Sequence, residues 1–226
     1  AWANSTGAVA GVAGVPGEDN CTQCHGGGVN SGTGRLTVSL VDASTWTPGQ
    51  QVRVRITLAD PTARRWGFQI TARGATSPNT NAGVFALADG TTTKRVAGFG
   101  GAEYITHTST GTRPGTADSS TWEVLWTPPA DVSFGAVVFY AAGNAANNNG
   151  QNDAGDNVYT ASLTARPAGD TPATSYALSQ LAFGGGWYTA VYLHNSNGTA
   201  ATATLNYFGA DGKPLNITNV GTSTTL

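Results

Sequence analysis

The sequence has no methionine, only two cysteines and few charges, and each shortage excludes something. Without methionine, no thioether side chain is available as a metal ligand. Both cysteines lie between Cys21 and His25, so disulfides elsewhere in the chain are excluded. Charged residues make up 11% of the 226 residues, against about a quarter in an average globular domain. The formal net charge is −2, and no basic cluster offers the positive face that nucleic acid requires. No run approaches the ~18 consecutive apolar residues that cross a bilayer as a helix, so no transmembrane segment is expected. Nor do apolar residues recur at helical spacing over three turns.

Glycine, at 31 residues, fills the sequence instead, with abundant Thr and Ala. Polar surface built from Thr, Ser, Asn and Gly is common in secreted β-proteins. The chain opens on Ala1-Trp2-Ala3 rather than Met, which suits a mature terminus left by a cleaved signal peptide. The expectation is an exported protein, extracellular, at the cell surface or periplasmic.

Residues 1–34 are rich in Gly and small side chains and predict loop, with a short helix near Cys24. From Arg35 the pattern changes to alternation. Leu36–Leu40, Val52–Leu58 and Trp66–Ala72 each place their apolar residues on one face at period two, the mark of a half-buried strand. Further strands are predicted around Gly83–Leu87, Glu103–Thr108, Ser120–Trp126, Ala136–Ala142 and Val158–Leu163, separated by turn residues such as Trp46-Thr47-Pro48-Gly49. The fold class is all-β: an antiparallel sandwich over residues 35–166, preceded by the loop segment 1–34. Residues 167–174, with Pro167 and Pro172, read as a linker. Residues 175–226 then predict a second, partial β module with strands at Trp187–Leu193, Thr202–Phe208 and Leu215–Val220. That module is short for an independent core, so it either continues or has its open edge covered by another chain.

Cys21-Thr22-Gln23-Cys24-His25 is the C-x-x-C-H pattern of covalent c-type haem attachment. Two thiols at this spacing can each form a thioether to one vinyl group of a haem, and His25 then sits beneath the ring as an iron ligand. Other chemistries use C-x-x-C: a redox dithiol, a plain disulfide, or half of a zinc site. Zinc would need two more Cys or His ligands, and only the isolated His107 and His194 remain. A thioredoxin-type pair would open a helix in a βαβ setting, whereas this motif lies between Pro16-Gly17-Glu18 and Gly26-Gly27-Gly28.

Between about Trp46 and Leu163 a further pattern runs through the chain. After Pro16-Gly17-Glu18 and the cysteine motif come Thr47-Pro48-Gly49-x-x-Val52, Gly67-Phe68-Gln69 and Gly83-Val84-Phe85. Tyr104-Ile105-Thr106-His107-Thr108, Trp122-x-x-x-Trp126-x-x-Pro129, Phe139–Asn144, Asn147 and Gly155-Asp156-x-x-Tyr159-Thr160 follow in order. This series resembles the reeler-type β-sandwich, in particular a bacterial surface-protein version (choice-of-anchor type) carrying a haem motif in front. The resemblance implies an immunoglobulin-like sandwich on an exported, often surface-anchored protein. Animal domains of this group carry disulfides that this chain cannot form, so their functions do not transfer. Residues 174–226 are similar to a repeated β module of secreted soil-bacterial proteins, through Phe183-Gly-Gly-Gly-Trp187-Tyr188-Thr189.

If haem c is the cofactor, His25 is the proximal ligand and the absence of Met rules out a His/Met pair. His107, His194, Lys94, Lys213, the terminal amine or water remain for the sixth position. His107 is the preferred candidate, since it lies in a predicted strand of the sandwich. Two imidazoles give six-coordinate, low-spin iron with no vacant site and a lower potential than His/Met ligation. Trp66, Phe68, Tyr104, Trp122, Trp126 and Tyr140 alternate as core residues, and any of them could also wall a haem. A second possible site is the oxygen-rich stretch 144–156, where Asn147, Asn149, Asp153 and Asp156 are candidate calcium ligands. Calcium takes about six to eight oxygens, although Asn and Gly also crowd into tight turns for conformational reasons.

The function expected from these residues is a monohaem c-type cytochrome carrying electrons to a redox partner protein or an extracellular acceptor. The alternative is a structural surface or filament subunit, a homo-oligomer built through the C-terminal module, in which haem is structural or part of a conductive assembly. An open-site haem enzyme or sensor is the minor reading.

Overall fold

Alternation between Val52 and Ala59 buries Val52, Val54, Ile56 and Leu58 and leaves Arg53 and Arg55 in water, so this strand forms one half of a packed pair of layers. The computed structural model describes residues 4–153, 155–170, 204–209, 213–215 and 223–225. The chain divides into two units, Ala1–Pro172 and Ala173–Leu226.

In the first unit the strands are β1 (Arg35–Val41), β2 (Thr45–Trp46), β3 (Val52–Ala59), β4 (Arg65–Gly74), β5 (Val84–Leu87), β6 (Thr93–Ala97), β7 (Glu103–His107), β8 (Ser119–Thr127), β9 (Val137–Ala146) and β10 (Asn157–Pro167). They build a four-stranded sheet, β1-β3-β8-β5, against a six-stranded sheet, β2-β10-β9-β4-β7-β6. All pairings are antiparallel except the short β2–β10 contact, which is parallel. Among the described residues helical structure is confined to short 3-10 turns. The protein is all-β, as its alternation predicts. Two elements were not legible: β2, which falls in the predicted Trp46–Gly49 turn, and β6, an edge strand whose Thr-Lys-Arg-Val-Ala sequence shows no clean alternation.

Aromatic rings join the two layers. Phe68 of β4 stacks on Trp122 of β8 at 4.5 Å, and Trp126 of β8 meets Phe139 of β9 edge to face at 4.8 Å. Each indole also finds an acceptor: Trp122 Nε1 donates to Gly111 O and Trp126 Nε1 to Ala82 O. These contacts add to area burial because ring quadrupoles prefer offset and edge-on geometry.

β4 departs from simple alternation. Every residue from Trp66 to Gly74 is buried. Its inward residues pack in the core, while its outward residues Gln69, Thr71 and Arg73 lie under the N-terminal segment. A polar side chain is buried at low cost only when its hydrogen bonds are met. Gln69 accepts from Val12 N and donates to Val9 O, Thr71 donates to Glu103 O, and Arg73 reaches Tyr104 and Glu18. The segment that sequence alone reads as loop is therefore a fixed cover on the six-stranded sheet.

The joint after that cover is pinned by Asp60, which is fully buried. It accepts from Thr62, Asn157 and the Tyr159 hydroxyl, and Tyr159 in turn accepts from Gly34 N at 2.9 Å. Burial alone would raise the Asp60 pKa, but these hydrogen bonds outweigh it and hold the carboxyl below its usual 3.8. Burial and the neighbouring carboxylate push Tyr159 up to about 12.

In the second unit, β11 (Thr204–Asn206) pairs antiparallel with β12 (Ser223–Thr225), and Leu215 N donates to Tyr207 O. The predicted strand Trp187–Leu193 lies outside the described residues.

Two stability predictions follow from the core and from the pinned joint. Trp122→Ala should cost about 3–5 kcal/mol in urea unfolding, whereas Glu123→Gln on the exposed face, where Glu123 pairs with Arg53 and Arg55, should cost under about 1 kcal/mol. Tyr104 and Tyr159 both ionise near 12 when folded, against an ordinary 10. The unfolded chain thus releases those protons first, and stability should fall as pH rises through about 10 to 12. Tyr159→Phe should flatten that slope.

Candidate functional site

The cysteine motif sits in a loop that hydrogen bonds make rigid. Gly14 N donates to Asp19 O and Glu18 N to Val15 O, which closes the turn at Pro16-Gly17. Glu18 then bonds the Tyr104 hydroxyl at 2.6 Å and pairs with Arg73, tying the loop to the sheet. Asn20 caps a 3-10 turn, Cys21–Gln23, by accepting from Thr22 N, and His25 N closes onto Cys21 O at 3.0 Å. The short helix expected near Cys24 is this turn.

The sheet beneath supplies the other side of the site. Strand register places Val158 of β10 opposite Asn144 of β9, and Asn144 opposite Gly67 of β4. Two strand spacings, roughly 10 Å, separate the ends of this row. Cys21 packs with Val158 and Ala142 at one end. At the other end the β4–β7 ladder stops at Gln69↔Thr106, and the His107 imidazole accepts the next N–H, that of Phe68, at 3.1 Å. Gly67 makes this possible, because a Cβ there would lie 2.9 Å from His107 Cε1. Above the row is a cavity of about 270 Å³ whose lining includes Cys21, Cys24, His25 and His107. Val9, Val12, Trp66 and Phe68 supply apolar wall, and Asn144, Asp156 and Arg65 the polar part.

His25 is held through one nitrogen. Its Nδ1 lies 2.6 Å from the Asp156 carboxylate and 3.0 Å from Asn144 Nδ2. No hydrogen bond forms to Nε2 among the described residues. His107 is buried, with Nδ1 at Phe68 N and O and Nε2 at 3.3 Å from Asn4 O. Burial pushes its pKa below the ordinary 6.5, aided by the charges of Lys94 and His25 and opposed by the hydrogen bonds to the Phe68 and Asn4 carbonyls. A neutral imidazole, the ligand form, is therefore favoured. Burial and the adjacent Cys24 push the Cys21 thiol up to about 12. A nucleophilic redox dithiol needs the opposite shift. Zinc is not favoured either, because no group of three His, Cys, Asp or Glu residues is placed to hold a metal among the described residues.

The four candidate calcium ligands do not form one set. Asn147, Asn149 and Asp153 are knotted in exposed turn hydrogen bonds, with Asn149 Nδ2 donating to Asp153 at 2.8 Å. Asp156 instead turns inward to His25, a role that sequence reading missed because its partner is 131 residues away. Of the aromatics, Trp66 and Phe68 serve both core and cavity wall, Trp122 and Trp126 serve the core, and Tyr104 anchors Glu18. His194 and the terminal amine lie outside the described residues.

A family model for the reeler domain matches residues 20–146, more than half of the chain. The chain belongs to the reeler family. That match spans Cys21, Cys24, His25, His107 and Asn144 and stops before Asp156. Among solved structures, the human F-spondin reeler domain matches at 18% identity and a TM-score of 0.44, over 65% of this chain and 99% of that one. A cohesin module from a Clostridium perfringens family 33 glycoside hydrolase matches at 12% identity and 0.39, over 61% and 98%. No curated protein matches the sequence significantly. The cavity between the six-stranded sheet and the cysteine loop brings Cys21, Cys24, His25 and His107 together.

The donor set of that cavity fits a covalently held haem: two thiols, one imidazole beside them with a free Nε2, a second neutral imidazole, and apolar walls. Asn144 Oδ1 and Asp156 Oδ1 are buried there without hydrogen-bond partners among the described residues.

Because the folded His107 resists protonation, the unfolded chain binds more protons below about pH 6.5. In a Cys21→Ser/Cys24→Ser protein, stability should therefore decline as pH falls below that value, and adding His107→Gln should remove part of the decline. Denaturant titration across pH 5 to 8 measures it.

Proposed function

We propose that this reeler protein is an exported monohaem c-type cytochrome that carries electrons at the cell surface or outside the cell. The observation that supports the reading most is that Cys21-x-x-Cys24-His25 and His107, more than eighty residues apart, line one apolar-walled cavity. Cys21 and Cys24 would hold the haem as thioethers, and His25 would be its proximal ligand through Nε2. His107 would be the second iron ligand. Its Nδ1 would then donate to Phe68 O, at 3.2 Å, in place of accepting from Phe68 N. When bound, the haem supplies a one-electron iron couple, and ligation by two imidazoles favours a low potential and low-spin iron.

The chain's own residues do the rest. The buried Val12, Trp66 and Phe68 would give a bound haem apolar surroundings, and such surroundings act on its potential by controlling solvent access. Two imidazole ligands from the chain would favour electron transfer over substrate chemistry. The Asn148–Gln151 loop contributes Asn148, Gly150 and Gln151 to the cavity lining.

The test is a pyridine haemochrome assay with intact mass on protein matured in a c-type haem-attaching host. One haem per chain, lost in Cys21→Ala/Cys24→Ala, is expected, and a colourless protein with the bare polypeptide mass overturns the reading. His107→Ala should then convert a low-spin spectrum to one that binds carbon monoxide when reduced. An unchanged low-spin spectrum would remove His107 from the assignment. Gly67→Val should act in the same direction, since its side chain enters the space of the imidazole.

A further inference from the structure

We infer that Asp156 is the positioning residue for His25: its carboxylate takes the Nδ1–H, leaves Nε2 as the ligand atom, and lowers the reduction potential of the bound iron. The inference rests on the haem reading above. Asp156 is 1% exposed, and a carboxylate that deep is costly unless a partner compensates it. One side-chain oxygen, Oδ2, contacts His25 at 2.6 Å; the other, Oδ1, has no partner. The burial is thus directed at a single imidazole rather than at a network that holds the fold. Backbone packing enforces the pair from both sides. Asp156 leads directly into β10, and a Cβ on Gly27, two residues after His25, would lie 1.9 Å from Asp156 O. The cysteine loop therefore seats its histidine against this residue.

Metal-bound histidines commonly donate their second ring N–H to a carboxylate, which fixes the tautomer and makes the ligand nitrogen more electron-donating. A more donating imidazole stabilises ferric over ferrous iron. Removing the carboxylate should shift the one-electron equilibrium about tenfold toward reduction, equivalent to about 59 mV.

The test compares wild type, Asp156→Asn and Val158→Ala, each matured with haem. Val158 packs on Cys21, so its truncation reports general loosening of the site. We expect Asp156→Asn to keep one covalent haem and a low-spin spectrum while its midpoint potential rises well above both others. A potential equal to wild type, or a rise no larger than that of Val158→Ala, overturns the inference. Should Asp156→Asn fail to mature, NMR of the reduced wild-type protein decides. A slowly exchanging, strongly downfield His25 Nδ1–H supports the carboxylate bond, and a resonance that exchanges as freely as an exposed imidazole refutes it. A wild type without haem would instead defeat the haem reading itself, whereas a haem-loaded wild type with an unshifted Asp156→Asn defeats only this inference.

Discussion

The register of β10, β9 and β4 on the outer face of the six-stranded sheet is the constraint on which the site depends. It sets Val158, Asn144 and Gly67 in one row. A shift of one residue in either ladder would turn that row to the opposite face, because side chains alternate at period two. The row is low at its β4 end, where Gly67 has no side chain, so the imidazole of His107 can lie across β4, while Cys21 settles against Val158 and Ala142.

The cover over this sheet is polar in its attachments and apolar in its lining. Gln69, Arg73 and Thr106 hold the N-terminal segment through bonds to Val9, Val12, Glu18 and Ala8, while Val9 and Val12 face the cavity. Satisfied polar contacts fix position without needing a large hydrophobic interface. That division gives a segment with almost no regular structure a single placement. It also explains a strand, β4, buried on both faces in an otherwise ordinary sandwich, where one face would normally meet water.

Much of the fold was legible because strands announce themselves locally. Val52–Ala59 and Ser119–Thr127 alternate cleanly, and the Trp122 and Trp126 pair falls on the inward face as that alternation requires. β6 escaped because an edge strand need bury little. The outward residues of β4 misled in another way: Gln69 lies on the polar face of the predicted Trp66–Ala72 strand, yet it and Arg73 are bonded to a segment more than fifty residues away. The site divides along the same line. Cys21, Cys24 and His25 form a contiguous motif, and His107 is preferred among several remaining ligands because it lies on a predicted strand. Asp156 read as a candidate calcium ligand, because nothing within its own neighbourhood in sequence marks it as the partner of His25.

The sequence by itself determined the chemistry on offer: two adjacent thiols with an imidazole, few alternative ligands, and alternating strands suited to a sandwich. These are properties of residue type and short-range spacing, which backbone geometry translates directly. The tertiary structure alone decided which of them meet. His25 finds Asp156, and the cysteine loop faces His107, because ladder register and the path of the covering segment close separations of 131 residues and more than eighty. No local periodicity encodes such distances.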